Sequence, residues 1–142
     1  MAEVTTFAHG YHYGDYSGVI FYGPPTNGFW VDRLAVSDCY ISPLFHAVLD
    51  RAWRESGGES VPRVASEWNT LTGWANLGAG VVPLQSVDAE DIARAFTTVS
   101  ESDLAQHVTG STIEECLACA WTIQEFICAR LTESSIVYIE SD

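Results

Sequence analysis

The chain contains no lysine, and this absence dominates its charge. Its strongly basic residues are six arginines, against 19 Asp and Glu, which gives a formal net charge of -13 at pH 7. Proteins that bind nucleic acid directly use Lys and Arg to displace counterions from phosphate, so the composition argues against that role. A basic protein is the favoured partner. The alternative is that the charge serves only to keep a small protein in solution.

The chain also lacks a long apolar run and a targeting segment. No stretch approaches the roughly 18 apolar residues that cross a bilayer, and the N-terminal MAEVTTFAHG has neither the cationic start nor the apolar segment of a secretory signal. Three of the four cysteines, Cys116, Cys119 and Cys128, fall in one predicted helix, which does not suggest a disulfide framework. We therefore expect a reduced, cytoplasmic protein without a membrane partner.

Motifs for catalysis and cofactor binding are missing as well: no P-loop, dinucleotide fingerprint, GxSxG or HExxH occurs. Cys116 and Cys119 have CxxC spacing, but inside an apolar helix, where buried thiols that pack as small apolar side chains are the favoured interpretation. His9 and His12 form an HxxH that we interpret as surface residues rather than a metal site. The sequence thus predicts no catalytic residue, metal or cofactor, and enzymatic activity is the less favoured alternative.

The clearest element is a helix at residues 112–131. Thr112 and Glu115 have the spacing of a capping box, in which each side chain bonds a backbone N–H at the helix start. Apolar residues then recur at intervals of three and four. We expect this helix to be covered on most sides and to serve as a core element, with an apolar set of Ile113, Cys116, Leu117, Ala120, Trp121, Ile123, Phe126, Ile127 and Leu131 and a narrow polar stripe of Glu114, Thr122, Glu125 and Glu133.

The remaining patterns predict a single α+β domain over residues 1–142, with N-terminal antiparallel strands packed against about four helices. Strands are predicted at 4–8, 19–22 and 29–36, the last two forming a hairpin that turns at Asn27-Gly28. Ser42 and Pro43 are expected to open the first helix and Asp88 to cap a later one. Another capping box is predicted at Ser100, and a final strand at 136–139 should return to the sheet.

A predicted loop at residues 9–18, HGYHYGDYSG, combines tyrosines with Gly and Ser and has no aliphatic side chain. This composition is typical of binding loops, since Tyr offers a rigid amphipathic contact surface. The alternative is a strand edge whose tyrosines lie across the sheet. The candidate partner-binding residues are Tyr11, Tyr13, Asp15 and Tyr16, with Asp32 and Asp38 as further candidates.

Two resemblances add to this reading. The segments VDAEDI at 87–92, VSESDL at 99–104, the long helix through Phe126 and the strand IVYI at 136–139 follow one another as in YfbM-like bacterial proteins. Residues 82–142 resemble the C-terminal half of that family. In size, acidity and lack of catalytic motifs the chain also resembles bacterial immunity proteins, which neutralise a toxin or nuclease-like enzyme by covering its basic active-site cleft.

The second resemblance implies an acidic inhibitor with a basic protein partner. One alternative is a DNA-mimicking or phage-encoded anti-defence inhibitor, which would carry carboxylates in paired rows at phosphate-like spacing. The other is a small-molecule-binding protein or enzyme, with a pocket lined by Trp68, Trp74 and Trp121.

Overall fold

A five-stranded sheet with helices packed on it organises the chain. The computed structural model describes residues 4–7, 18–70, 73–75 and 80–141. Within these ranges the strands are β1 (Val4–Phe7), β2 (Gly18–Tyr22), β3 (Arg33–Ser37), β4 (Val82–Gln85) and β5 (Ile136–Ser141). The helices are α1 (Asp38–Ser56), α2 (Arg63–Trp68), α3 (Ser86–Thr98), α4 (Glu101–Ala105) and α5 (Ile113–Leu131). The prediction of an α+β domain is confirmed.

The strand order is β1-β3-β2-β5-β4. Strands β3, β2, β5 and β4 pair antiparallel, and β1 pairs with β3 in parallel. The C-terminal strand β5 returns to the sheet as predicted, and it lies inside it, between β2 and β4. Strand β5, late in the sequence, therefore pairs with β2, which is early in the sequence.

One face of the sheet forms the core with the helices. Phe21 pairs with Ile139 in the β2–β5 register, and both are fully buried in a cluster that includes residues of α1, α3 and α5. The residues that alternate with them, Tyr22 and Tyr138, lie on the opposite face and outside that cluster. The sheet is therefore one layer and the helices another.

Helix α1 begins at Asp38, not at the predicted Ser42, so Pro43 lies inside it. A proline there removes the hydrogen bond that would reach back to the carbonyl of Cys39. That carbonyl instead accepts a hydrogen bond of 2.6 Å from the hydroxyl of Ser111, in the segment before α5. A tertiary contact thus replaces the missing helical bond. The helix ends as predicted at Gly57, whose φ of 65° is left-handed.

The predicted start of α3 is wrong, whereas those of α4 and α5 are right. Asp88 does not cap α3, because β4 runs straight into that helix and Gln85 takes the cap position, which leaves Asp88 in the first turn. The two predicted capping boxes are confirmed. Ser100 exchanges hydrogen bonds with Asp103 at the start of α4, and Thr112 does so with Glu115 at the start of α5.

Helix α5 is buried on one face only, so the expectation that it is covered on most sides is wrong. Cys116, Cys119 and Ile123 are fully buried against the core, whereas 53% of Trp121 is exposed and Cys128 is exposed. The helix packs one face against α3, α1 and the sheet. Its opposite face is open to solvent in the part of the protein that the structure describes.

Candidate functional site

The predicted site residues do not form one described cluster. Asp32 precedes the five-residue strand β3 and Asp38 follows it, so the two are six residue steps of extended chain apart, about 20 Å. Asp38 lies at the end of the sheet where Phe7 and Gly18 pair with β3. The other predicted contacts, Tyr11, Tyr13, Asp15 and Tyr16, lie outside the described residues and stay predictions. The same holds for the interpretation of His9 and His12 as surface residues.

The solvent-facing side of α5 carries an aromatic residue between carboxylates. Glu114, Trp121 and Glu125 are all exposed and lie within about 40° of one another around the helix axis. Trp121 is about 10 Å along the axis from Glu114 and about 6 Å from Glu125, at 1.5 Å per residue. Ala118 and Ala129, also exposed, keep the surface beside the indole low. We call Glu114, Ala118, Trp121, Glu125 and Ala129 the α5 outer face.

Trp121 differs from the other exposed tryptophans in lacking an evident structural role. Trp30 lies between Tyr22 and Tyr138, with ring centroids 4.9 and 5.0 Å away. Trp53 lies against the turn that ends α1, where its ring is next to the α-carbon of Gly58. Trp121 makes no aromatic contact with any described residue. An indole that is half exposed and makes no ring contact with a described residue is a candidate contact for another molecule.

The α5 outer face is also electrostatically uncompensated. Glu114 and Glu125 form no ion pair within the described ranges. Five of the six arginines are engaged elsewhere, in the pairs Arg51–Glu55, Arg54–Asp103, Arg63–Glu67, Arg94–Asp91 and Arg130–Asp32. A cation approaching Trp121 would therefore meet carboxylates and the π face of an indole, both of which attract it.

A second aromatic surface lies at the β2–β3 connection. Residues Thr26 and Phe29 exchange backbone hydrogen bonds of 2.8 and 3.0 Å around Asn27 and Gly28, whose φ values of 51° and 81° are those of a type I′ turn. The predicted turn is therefore confirmed, although β3 begins at Arg33 rather than at Phe29. The turn holds Phe29 with 71% of its surface exposed, next to Trp30.

The charges around this second surface are balanced. Asp32 lies 3.9 Å from the guanidinium of Arg130, which also stacks over Phe126 at 4.9 Å. Glu140 accepts a hydrogen bond of 2.7 Å from the hydroxyl of Tyr22, and Arg33, opposite Tyr22 in the register, is exposed. Because acids and arginines alternate here, the surface has no preference for a basic partner. Asp32, a predicted contact, is engaged within the protein.

The cysteines of the CxxC pair are confirmed as packing residues. Burial raises the pKa of both the Cys116 and the Cys119 thiol, which keeps them protonated and poorly nucleophilic. Cys116 Sγ lies 3.5 Å from the hydroxyl of Ser111. A thiol held in this way contributes to the α1–α5 contact rather than to chemistry.

The three tryptophans proposed to line a pocket do not share one. Trp68 stacks on Phe45 with centroids 4.6 Å apart. Trp74 lines a cavity of about 290 Å³ with Val64 and Leu84, and neither Trp68 nor Trp121 is in its wall. This volume is at the lower limit of small-molecule sites.

Comparison with protein-family models, with curated proteins and with solved structures finds no match. The site therefore has to be interpreted from its own geometry. Among the described His, Cys, Asp and Glu side chains, no three or more are arranged to hold a metal ion. None of the helices in the described ranges combines the length and apolar character needed to cross a membrane.

The signal that could have located Trp121 is present in the sequence. At 100° per residue, Trp121 lies about 20° from Glu114 and about 40° from Glu125 around the helix axis, at the edge of the polar stripe. Assigning it to the apolar set on residue type alone placed it in the core. Its helical position indicated exposure.

Proposed function

We propose that this protein is an inhibitor of the immunity-protein type, which binds a basic protein partner through the α5 outer face. The observation that carries this proposal is the exposed indole of Trp121 between the carboxylates of Glu114 and Glu125, which make no ring contact and no ion pair, respectively, with any described residue. An aromatic anchor with a charged rim is the common composition of tightly bound protein interfaces.

The physical roles of indole and carboxylates differ. The net charge of -13 attracts a basic partner over a distance and raises the association rate, especially at low salt. Trp121 then supplies short-range contact area and a cation–π site for an Arg or Lys of the partner. Helix α5 is anchored to the core by its opposite face, so the contact surface is preorganised and little conformational entropy is lost on binding. Covering a basic active-site cleft in this way would block access of its anionic substrate.

The alternatives have less support. A DNA mimic needs carboxylates at the spacing of phosphates, about 3.4 Å of axial rise along one strand. Glu114 and Glu125 are instead separated by about 16 Å along α5. A small-molecule role would depend on the cavity beside Trp74, whose polar walls include Arg63 already paired with Glu67.

The test compares two double variants of equal net charge. E114Q/E125Q and E59Q/E101Q each change the formal charge from -13 to -11, but only the first alters the α5 outer face, since Glu59 and Glu101 are exposed elsewhere. Wild type, both double variants and Trp121→Ala are immobilised and incubated with lysate of the native host. Retained proteins are identified by mass spectrometry, and the partner is then purified for binding and activity assays.

We expect the wild type to retain a basic protein from the lysate. An equimolar amount of the wild type should block the activity of that protein. Trp121→Ala should weaken binding by about 30-fold or more, the effect of losing an interface hot spot. E114Q/E125Q should slow association more than E59Q/E101Q at low salt. Phe29→Ala, an exposed aromatic on the second surface, is the control for Trp121→Ala. Equal binding by the two double variants, or no effect of Trp121→Ala, would refute the assignment to α5.

A further inference from the structure

A row of polar groups on α1 holds the chain that connects α4 to α5. Arg54 donates hydrogen bonds of 2.6 and 3.2 Å to the carboxylate of Asp103. One turn back along α1, Oδ2 of Asp50 lies 2.5 Å from Nε2 of His107. The hydroxyl of Ser111 bonds the carbonyl of Cys39, near the start of the helix. Residues 103–111 are therefore fastened along the length of α1 by polar contacts.

Two histidines stack face to face in the middle of this row. The imidazole centroids of His46 and His107 are 5.0 Å apart and their planes differ by 21°. The edge of His46 also meets the ring of Trp68 from α2, at 5.2 Å and 81°. Stacked imidazoles attract one another when at least one ring is neutral and repel when both carry charge. The contact therefore depends on protonation.

The carboxylates whose charges act on His46 are Asp50 and Asp38, both on α1. On α4, Asp103 is paired with Arg54. The group on α5 near the start of α1 is Glu115, which caps its own helix. From α2, the ring that faces His46 is the uncharged Trp68.

Burial and the neighbouring His107 outweigh the two aspartates. Desolvation first, and the charge of His107 second, lower the pKa of His46 from its ordinary value of 6.5, while Asp50 and Asp38 act in the opposite direction. The folded contact therefore favours neutral His46.

We propose that the His46–His107 stack is an acid-sensitive latch, which holds the α4–α5 connection on α1 at neutral pH and releases it when His46 is protonated. The direction follows from linkage. A histidine with a lowered pKa in the folded state contributes its full stabilisation above the unfolded value of 6.5 and loses it as pH falls from 6.5 towards the folded pKa. The release is local, because the buried faces of α1 and α5 do not titrate in this range. The latch does not depend on the partner-binding role of α5.

The first measurement is an NMR titration of the imidazole C2 protons, assigned with single His→Gln variants. We expect His46 to titrate below 6.5, and its midpoint to rise in His107→Gln. Glutamine at that position can still donate to Asp50 but carries no charge. A His46 midpoint at or above 6.5, or one that does not respond to His107→Gln, would overturn the proposal.

The second measurement is amide hydrogen exchange at pH 7.5 and pH 5, corrected for the intrinsic effect of pH. Protection of residues 106–111 should be lower at pH 5 than at pH 7.5, because protonation of His46 opposes the folded contact, while protection of β5 should not change. The His46→Phe variant keeps an aromatic ring against His107 and Trp68, but this ring cannot be protonated. In this variant the protection of residues 106–111 should therefore not vary with pH. Should His46→Phe fold poorly, His46→Gln serves the same purpose. An equal loss of protection in wild type and in both variants would show that the pair is not the latch.

Discussion

Replacing Phe45 with alanine tests the packing that joins α1, α2 and α3. Phe45 is fully buried, stacks on Trp68 at 4.6 Å and meets the edge of Phe96 at 5.1 Å. The ring of Trp74 lies 6.3 Å away, and its N–H donates to the carbonyl of Val64. The phenyl ring of Phe45 is thus the shared contact of three aromatic side chains, and its removal leaves a cavity at their centre.

The expected cost follows from this environment. Truncating a buried Phe to Ala lowers the free energy of unfolding by about 3–5 kcal/mol. The lost edge and stacking contacts, each about 0.5–1.5 kcal/mol, place this site towards the upper end of that range. The total free energy of unfolding of a domain of this size is about 5–15 kcal/mol. The Phe45→Ala variant should therefore be only marginally folded. Phe45→Leu, which fills most of the volume, should cost about 1–1.5 kcal/mol.

The assay is urea unfolding followed by tryptophan fluorescence and far-ultraviolet circular dichroism, with Phe29→Ala as the matched control. Phe29 is the same residue type with 71% of its surface exposed, so its removal should change stability by less than about 0.5 kcal/mol. If Phe45→Ala and Phe29→Ala differ by less than about 1 kcal/mol, Phe45 is not the centre of the core described here.

Three further substitutions or reactions test other parts of the fold. A methyl group added at Gly18 would lie 2.0 Å from the carbonyl oxygen of Val36, so Gly18→Ala should shift β2 and cost about 1–3 kcal/mol in urea unfolding; an unchanged midpoint would contradict the β2–β3 pairing. Thr112→Ala should lower stability by about 1 kcal/mol through loss of the α5 cap, and Thr112→Ser should restore it. With a thiol reagent at neutral pH, exposed Cys128 should react in the native protein and Cys119, whose pKa burial raises, only after unfolding. Equal rates for the two thiols would contradict the described orientation of α5.

Local features were predictable because the residues that decide them are close in sequence. Thr112 and Glu115 bond each other's backbone N–H groups within one turn, so their spacing alone indicates the helix start. The same holds for the turn at Asn27-Gly28, where both residues must adopt positive φ. In both cases the residues that determine the local conformation lie within four positions of one another, and tertiary packing does not change that conformation.

Features that depend on a distant partner were not predictable. Pro43 looked like a helix start because proline breaks helical hydrogen bonds, and only the position of Ser111, far along the chain, makes it acceptable inside α1. His46 likewise stacks on His107, a partner far along the chain that local sequence does not indicate. The candidate site shows the limit most clearly, since the predicted aspartates separate to opposite ends of β3 while Trp121 moves from the expected core to the surface.

By itself, the sequence determined the class of the fold, the capping boxes of α4 and α5, the tight turn and a net charge of -13, because these depend on composition and on neighbours along the chain. The tertiary structure decided how much of α5 is covered and which carboxylates form no ion pair within the described residues. Periodicity indicates that a helix has faces, but the face that is covered depends on which elements pack against it. Helix α5, which the sequence presented as a core element alone, is both core and, on its other side, the proposed binding surface.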